Sequence, residues 1–397
     1  MTRTAPTSIV AAGAAALTLL ASLAGPLPSQ PPRQDYLVYV ASESADKVTL
    51  LRFGPGGARV EREMQIGIMP ADVDGPHGLA VSPDKRFYYV TTAHGTPWGM
   101  LWKYTTAKDS LVNTVPLGMF PASLQVSPDG EFVYVVNFNL HGDMVPSSVS
   151  VVFAEGMVEV ARIPTCTMPH GSRINAAGTR QYSTCMMDDM LVEIDTRSFG
   201  VSRHFMLAKG KEHGDNGAPH AGHAPAATAA GSAPAAHTGS THAAHGANQV
   251  DCSPTWAQPS ADGARVYVAC NKSNDIVEID AATWKLVRRI PAGDGVYNLG
   301  VTGDGRLLIA TNKRGQSVSV FETATGKELA RIPTKRKVVH GVAVSSDNRY
   351  AFISVEGIGS EPGTVEMIDL QALKSVAAVD VGQQAGGIDF LRAEASR

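Results

Sequence analysis

The 397-residue chain carries few of the short signatures that announce catalysis. It has no Gly-Lys-Ser/Thr phosphate loop, no Gly-x-Ser-x-Gly elbow, no Cys-x-x-Cys-His haem attachment and no His-Glu-x-x-His pair. Excess charge is missing as well: 34 basic against 37 acidic residues leave no basic face for DNA or RNA, so nucleic acid is excluded as a partner class. Cysteine is scarce, but its number, four, is even; that fits an oxidising compartment and leaves three pairings open. Only one apolar run stands out, from Ile9 to Leu23, and it is shorter than the roughly 20 residues a spanning helix needs.

That run reads as an export signal. Arg3 precedes it, and the small-residue pattern Ala21-Ser22-Leu23-Ala24 follows before Gly25-Pro26. Residues 1–24 are therefore expected to be a cleaved signal peptide and 25–34 a Pro-rich linker. No Cys follows the run, so a lipoprotein anchor is not indicated. The expected product is periplasmic or secreted, monomeric and without a membrane span.

What the chain has instead is a repeated sentence. Residues 169–185 read PHGSRINAAGTRQYSTC, and the clearest copy, PHGLAVSPDKRFYYVTT, begins at Pro76. Others begin at Pro121 (PASLQVSPDGEFVYVVN), Pro254 (PTWAQPSADGARVYVAC), Val296 (VYNLGVTGDGRLLIATN) and Val339 (VHGVAVSSDNRYAFISV). Taking the residue after the opening Pro or its equivalent as slot zero gives His77, Ala122, His170, Thr255, Tyr297 and His340. Asp recurs seven places on (Asp84, Asp129, Asp262, Asp304, Asp347) and Tyr twelve places on (Tyr89, Tyr134, Tyr182, Tyr267). Slot-zero steps are 45, 48, 85, 42 and 43 residues, the 85 concealing an insertion.

A period in the forties, with four short runs of β-branched residues per unit, is the pattern of propeller blades. Asp-Gly or its like between the first two runs supplies the positive φ of a tight hairpin, so the turn Asp and the strand Tyr read as structural. Near the C-terminus Gly386-Gly387-Ile388-Asp389-Phe390 has only the inner-strand half of the sentence, and residues 36–42 have only the second-strand half. Joining them predicts an all-β, seven-bladed β-propeller of four-stranded antiparallel blades over 35–397. Its N-terminal strands join the C-terminal inner strand. Residues 208–250, rich in Ala, Gly, Pro, Ser, Thr and His, are expected to be a disordered insertion.

The tetrads Tyr89-Val90-Thr91-Thr92, Tyr134-Val135-Val136-Asn137 and Tyr267-Val268-Ala269-Cys270 follow Ser-Pro-Asp-Gly-like turns and resemble the YVTN-repeat seven-bladed β-propeller family over nearly all of 36–391. The resemblance implies the fold. It implies no activity, since that family holds surface-layer proteins and many uncharacterised exported ones, and similar propellers occur in copper and haem enzymes.

Propeller topology sorts the histidines. His77, His170 and His340 take slot zero at the channel mouth, and His94 and His141 lie in loops on the same face. The insertion adds His213, His220, His223, His237, His242 and His245 to that face, so eleven of twelve histidines share it. Blades one, three and six are nearly trigonal about the axis, and three neutral imidazoles with room for solvent would make an open copper or zinc site. The competing reading is that Pro-His-Gly merely opens a strand beside a wet channel. Soft donors gather nearby: Cys166, Met168, Cys185, Met186, Met187 and Met190, with the hairpin returning Cys185 beside His170. These suit copper, or else Cys166–Cys185 and Cys252–Cys270 are intra-blade disulfides, which export favours. His220/His223 and His242/His245 are i, i+3 pairs that would wrap a metal, or the spacer is simply His-biased. Asp188 and Asp189 read as solvated loop charges.

The leading expectation is an exported binding or scaffold protein with a copper-like metal on its histidine face and a small-molecule or protein ligand at the channel mouth. A periplasmic metal-dependent redox enzyme competes, because the similar propeller of nitrous oxide reductase carries histidine-ligated copper there. Three channel histidines are fewer than that cluster requires. A metal-free interaction propeller is the third class.

Overall fold

Each repeat folds into a four-stranded meander because its apolar residues alternate and its turns carry the right hydrogen bonds. In the fourth repeat the strands are Pro254–Pro259, Arg265–Cys270, Asp275–Asp280 and Lys285–Pro291, with Tyr267 opposite Glu278 and Val277 opposite Arg289. Burial is high in the first three strands and lowest in the outer one. The first turn is held by Asp262, whose carboxylate accepts the Ser260 hydroxyl at 2.6 Å and the Ala264 N–H at 3.0 Å, while Gly263 takes φ +72°. Asp84, Asp129, Asp304 and Asp347 accept a hydroxyl two places upstream in the same way, at 2.5–2.6 Å.

The structure is a computed structural model that describes residues 29–68, 72–94, 99–215 and 250–396. Among them are seven sheets, one per blade. The first six blades begin at Pro76, Pro121, Pro169, Pro254, Val296 and Val339. The seventh is shared: Ala385–Ala395 pairs antiparallel with Gln34–Ser42, followed by Lys47–Gly54 and Gly57–Gln65. This seam carries a buried guanidinium. Arg52 binds Asp35 at 2.8 Å and Glu61 and Glu394 at 2.9 Å, tying all four strands of the shared blade. Hydrophobic clusters lie between neighbouring blades; Tyr36 and Val38 meet Tyr350 and Phe352, for instance. Burial between sheets therefore closes the ring.

Two details refine the sequence reading. The insertion expected from 208 begins as structure: Ala208 is buried, Glu212 pairs with Arg289 at 2.6 Å, and His213–Asp215 adds a fifth strand to the third blade. The rest of it, 216–249 with His220, His223, His237, His242 and His245, lies outside the described residues, as do the signal segment 1–24 and residues 25–28 of the linker. Among the described residues no helix is long and apolar enough to cross a membrane. Both disulfides, Cys166–Cys185 and Cys252–Cys270, are formed, which selects one of the three pairings and is compatible with an oxidising compartment.

Candidate functional site

One backbone device repeats at the histidine-bearing rim. Two places before slot zero every blade has a residue with positive φ: Gly75, Phe120, Met168, Ser253, Gly295, Val338 and Gln384. The carbonyl of each accepts the N–H of the residue that follows its blade's second strand: Ala93, Phe138, Met186, Asn271, Lys313, Glu356 and Glu43. Only two of the seven are glycine. The other five meet the steric cost of this region, most of all β-branched Val338 at φ +67°. The bond fixes two side chains per blade at the mouth, one at slot zero and one sixteen places later.

Together these tiers line a funnel with a cavity volume of about 670 Å³. Its two walls differ. Phe120, Phe138, Leu140 and Met186 make one side apolar, whereas Lys313, Arg314, Lys337, Glu356 and Glu43 make the other mainly charged, with Val338 and Ile358 among them.

Glu43 organises the arc between the seventh and second blades. Buried at the start of a short 3-10 turn, it holds His77 Nδ1 at 2.5 Å on one oxygen and His94 Nε2 at 2.9 Å on the other. His141 stacks beside His94 at 5.3 Å between ring centroids, and Phe120 packs against all three imidazoles at 5.2–5.4 Å. Burial opposes ionisation of Glu43, but the imidazoles, His77 foremost, hold its carboxyl far below the usual range. The same hydrogen bond raises His94.

The arc of blades three to six is sealed. His170 donates from Nδ1 to the Thr255 carbonyl at 2.8 Å, which leaves Nε2 to accept the Tyr297 hydroxyl at 3.0 Å. Burial pushes its pKa down to about 3, so it is neutral. Desolvation likewise takes His340 well below the ordinary value, with Lys313 and His77 adding to it; its Nδ1 has no well-aligned partner, although the Gly386 backbone favours the proton weakly. Lys313 lies 4.3 Å above the Tyr297 ring and pairs with Glu356 at 2.8 Å. Burial works against its charge, yet Tyr297 and Glu356 prevail and raise it.

The slot-zero histidines thus face one channel without forming a trigonal set. His77 and His340 approach edge to face at 5.7 Å, but His170 has both nitrogens occupied, and Tyr297 stands between it and His340. Among the described residues no three His, Cys, Asp or Glu side chains are grouped to hold a metal. Cys185, expected as a soft donor, is corrected: it is bonded to Cys166 and offers no thiolate. Met187 is on an exposed turn, and it is Met186 that reaches the funnel. Asp189 is corrected too. It is buried and caps the backbone N–H groups of Asp251, Cys252 and Ser253, while Asp188 accepts from Thr167 N–H at 2.7 Å. Glu43, Lys313 and Glu356 went unnoticed in the sequence, although Lys313 and Glu356 share an offset of sixteen from slot zero; Glu43 takes the equivalent place only once the chain ends join.

No protein-family model matches the chain, and no curated protein sequence matches it. Solved structures do. A chain of Kuenenia stuttgartiensis hydrazine synthase is 19% identical, with TM-score 0.59 over 80% of this chain and 91% of its own. A functionally unknown protein of Desulfotomaculum acetoxidans is 14% identical, with TM-score 0.63 over 90% and 99%. A candidate 6-phosphogluconolactonase of Bacteroides fragilis is also 14% identical, with TM-score 0.63 over 91% and 99%. At these identities the likeness establishes a shared seven-bladed propeller fold.

Proposed function

We propose that this chain is an exported propeller of the YVTN-repeat type that binds a small amphipathic anion in its rim funnel and does not transform it. The observation that carries the reading is the two-sided funnel itself. An apolar wall accommodates an aromatic or aliphatic body, and the opposite wall accommodates a charged head. The floor charges are already matched, Glu43 with His77 and His94, Lys313 with Glu356, Arg314 with Asp294. Of the lining cations, Lys337 alone makes no ion pair among the described residues, which sets the preference for an anion. Matched floor charges also favour holding over catalysis, which needs a free base or nucleophile.

Calorimetry with 2-naphthoate and its neutral isostere 2-naphthamide tests this. The carboxylate should bind more tightly, Phe138→Ala should weaken both by about tenfold, the scale of one lost apolar contact, and Lys337→Gln should erase the difference. Binding that ignores both substitutions ends the proposal. Export is tested separately by the mature N-terminus, expected at Gly25.

A second reading keeps copper or zinc, with the donors moved. It is favoured by one contact: Glu43 already gathers His77 and His94, with His141 beside them. Metal analysis of the full chain and of a form lacking 216–249 separates rim from insertion. Stoichiometric metal retained without the insertion and lost in His94→Ala supports this reading, and its loss with the insertion ends it.

A further inference from the structure

Below the histidine tier the axial channel contains a second, much smaller space. It measures about 30 Å³ and is walled by His77, His170 and His340 above and by Arg173, Trp256 and Asn298 around its side. One water needs roughly 10–15 Å³ of such space, so it holds two waters or one larger ion.

Its polar lining is short of partners. The Arg173 guanidinium has five N–H donors, and its one hydrogen bond among the described residues is from Nη1 to its neighbour's carbonyl, Ser172 O, at 3.0 Å. It makes no ion pair among the described residues and stacks on the Trp256 ring at 4.4 Å. Asp389 is the carboxylate whose field reaches it, but its oxygens accept the Val81 and Phe390 N–H groups instead. The Trp256 indole N–H, the Asn298 Oδ1 and the His340 Nδ1 are all buried without a hydrogen-bond partner, and all three residues line this cavity. Orphaned polar atoms are rare in folded proteins, and a half-buried guanidinium without a counter-charge keeps donors to offer. Here three orphaned atoms and the half-buried Arg173 guanidinium meet at one space on the axis. Burial depresses Arg173 to about 10, which still leaves it charged at neutral pH.

We propose that this cavity is a binding site for a chloride-sized monovalent anion, held by the Arg173 guanidinium and the Trp256 indole N–H. The Asn298 amide joins as a donor after a half-turn about its last bond, an exchange of oxygen for nitrogen that leaves its shape unchanged. The site is separate from the funnel. Its occupant neutralises a half-buried charge that no carboxylate pairs among the described residues, so stability of the ring is linked to halide.

Bromide is the probe. Crystals of the full chain soaked in bromide should show one anomalous peak inside the cavity, within hydrogen-bond reach of Arg173. In solution, Tm should rise with the logarithm of chloride concentration, against gluconate at equal ionic strength as the anion too large to enter. Arg173→Gln should abolish both signals. Trp256→Phe, which keeps an aromatic ring and removes the N–H, should weaken apparent chloride affinity by about tenfold, the scale of one hydrogen bond to a charged group. Cavity density that is water only, equal Tm in chloride and gluconate, or a peak that persists in Arg173→Gln as an adventitious ion would overturn the proposal. If Arg173→Gln does not fold, the Trp256→Phe protein carries the test, and unchanged chloride dependence there is fatal.

Discussion

His77 and His170 occupy the same slot of the same repeated sentence, two blades apart, and share almost no chemistry. His77 sits at a wet rim on the Glu43 carboxylate, in company with His94 and His141. His170 is enclosed, uncharged and bonded through both nitrogens to Thr255 and Tyr297. The repeat decides where each imidazole stands, while residues from other blades decide what it can do. On one arc the imidazoles share a carboxylate; on the other they are buried and neutral beside the Lys313–Glu356 pair.

The sharpest way to break that contrast is acid. An unfolded histidine titrates near 6.5, whereas His170 takes a proton only at about 3. Between these values the unfolded chain binds the extra proton, so stability falls as pH drops, by roughly 1.4 kcal/mol per unit and roughly 4–5 kcal/mol in all from this one group. His340 acts in the same direction. Urea unfolding at pH 7, 5.5 and 4.5 should show the slope, and His170→Phe should flatten much of it. An NMR titration placing His170 near 6.5 would erase the distinction between the arcs.

Next in size is the sealed arc's ion pair. Lys313→Met leaves Glu356 half-enclosed without its cation and should cost about 3 kcal/mol in urea unfolding. Lys313→Met with Glu356→Leu should recover most of the loss, because the penalty lies in the stranded charge. A similar cost in both proteins would mean that the contact of Lys313 with Tyr297, and not the pair, is what the mouth depends on.

Much of this architecture is legible in the primary structure, and the limit has a physical origin. Turn Asp262 with Gly263 and the alternation through Tyr267 depend on neighbours a few residues away, so blades and their strands can be read off directly. Even the closing seam is visible, because residues 36–42 and 386–390 are complementary halves of one sentence. Slot zero likewise predicts which residues face the channel. Which of them meet is another matter. Tyr297 reaches His170 across 127 positions, and Glu43 reaches His77 from the neighbouring blade. Such partners depend on side-chain length and on which neighbouring blade supplies them, and a repeat period encodes neither. The seven positive-φ residues escaped for a related reason: five of them are not glycine, so composition gives no hint of the bend.

The smallest effect is the most specific. Glu43 raises His94 through a hydrogen bond, so the folded protein holds that proton more tightly than the unfolded chain does. The stabilisation is fully present below the unfolded value near 6.5 and is lost as pH rises through the higher folded one. With His94 about 32% exposed, solvent screens the pair, and the contribution is roughly 0.5 kcal/mol. The difference in urea stability between wild type and Glu43→Gln should therefore shrink slightly from pH 6 to pH 8, opposite in sign to the acid response of His170 and His340, which both proteins share. A Glu43→Gln protein with an unchanged His94 titration would mean that the open arc owes its charge to the funnel's field as a whole. Coupling through one carboxylate would then give way to coupling through many.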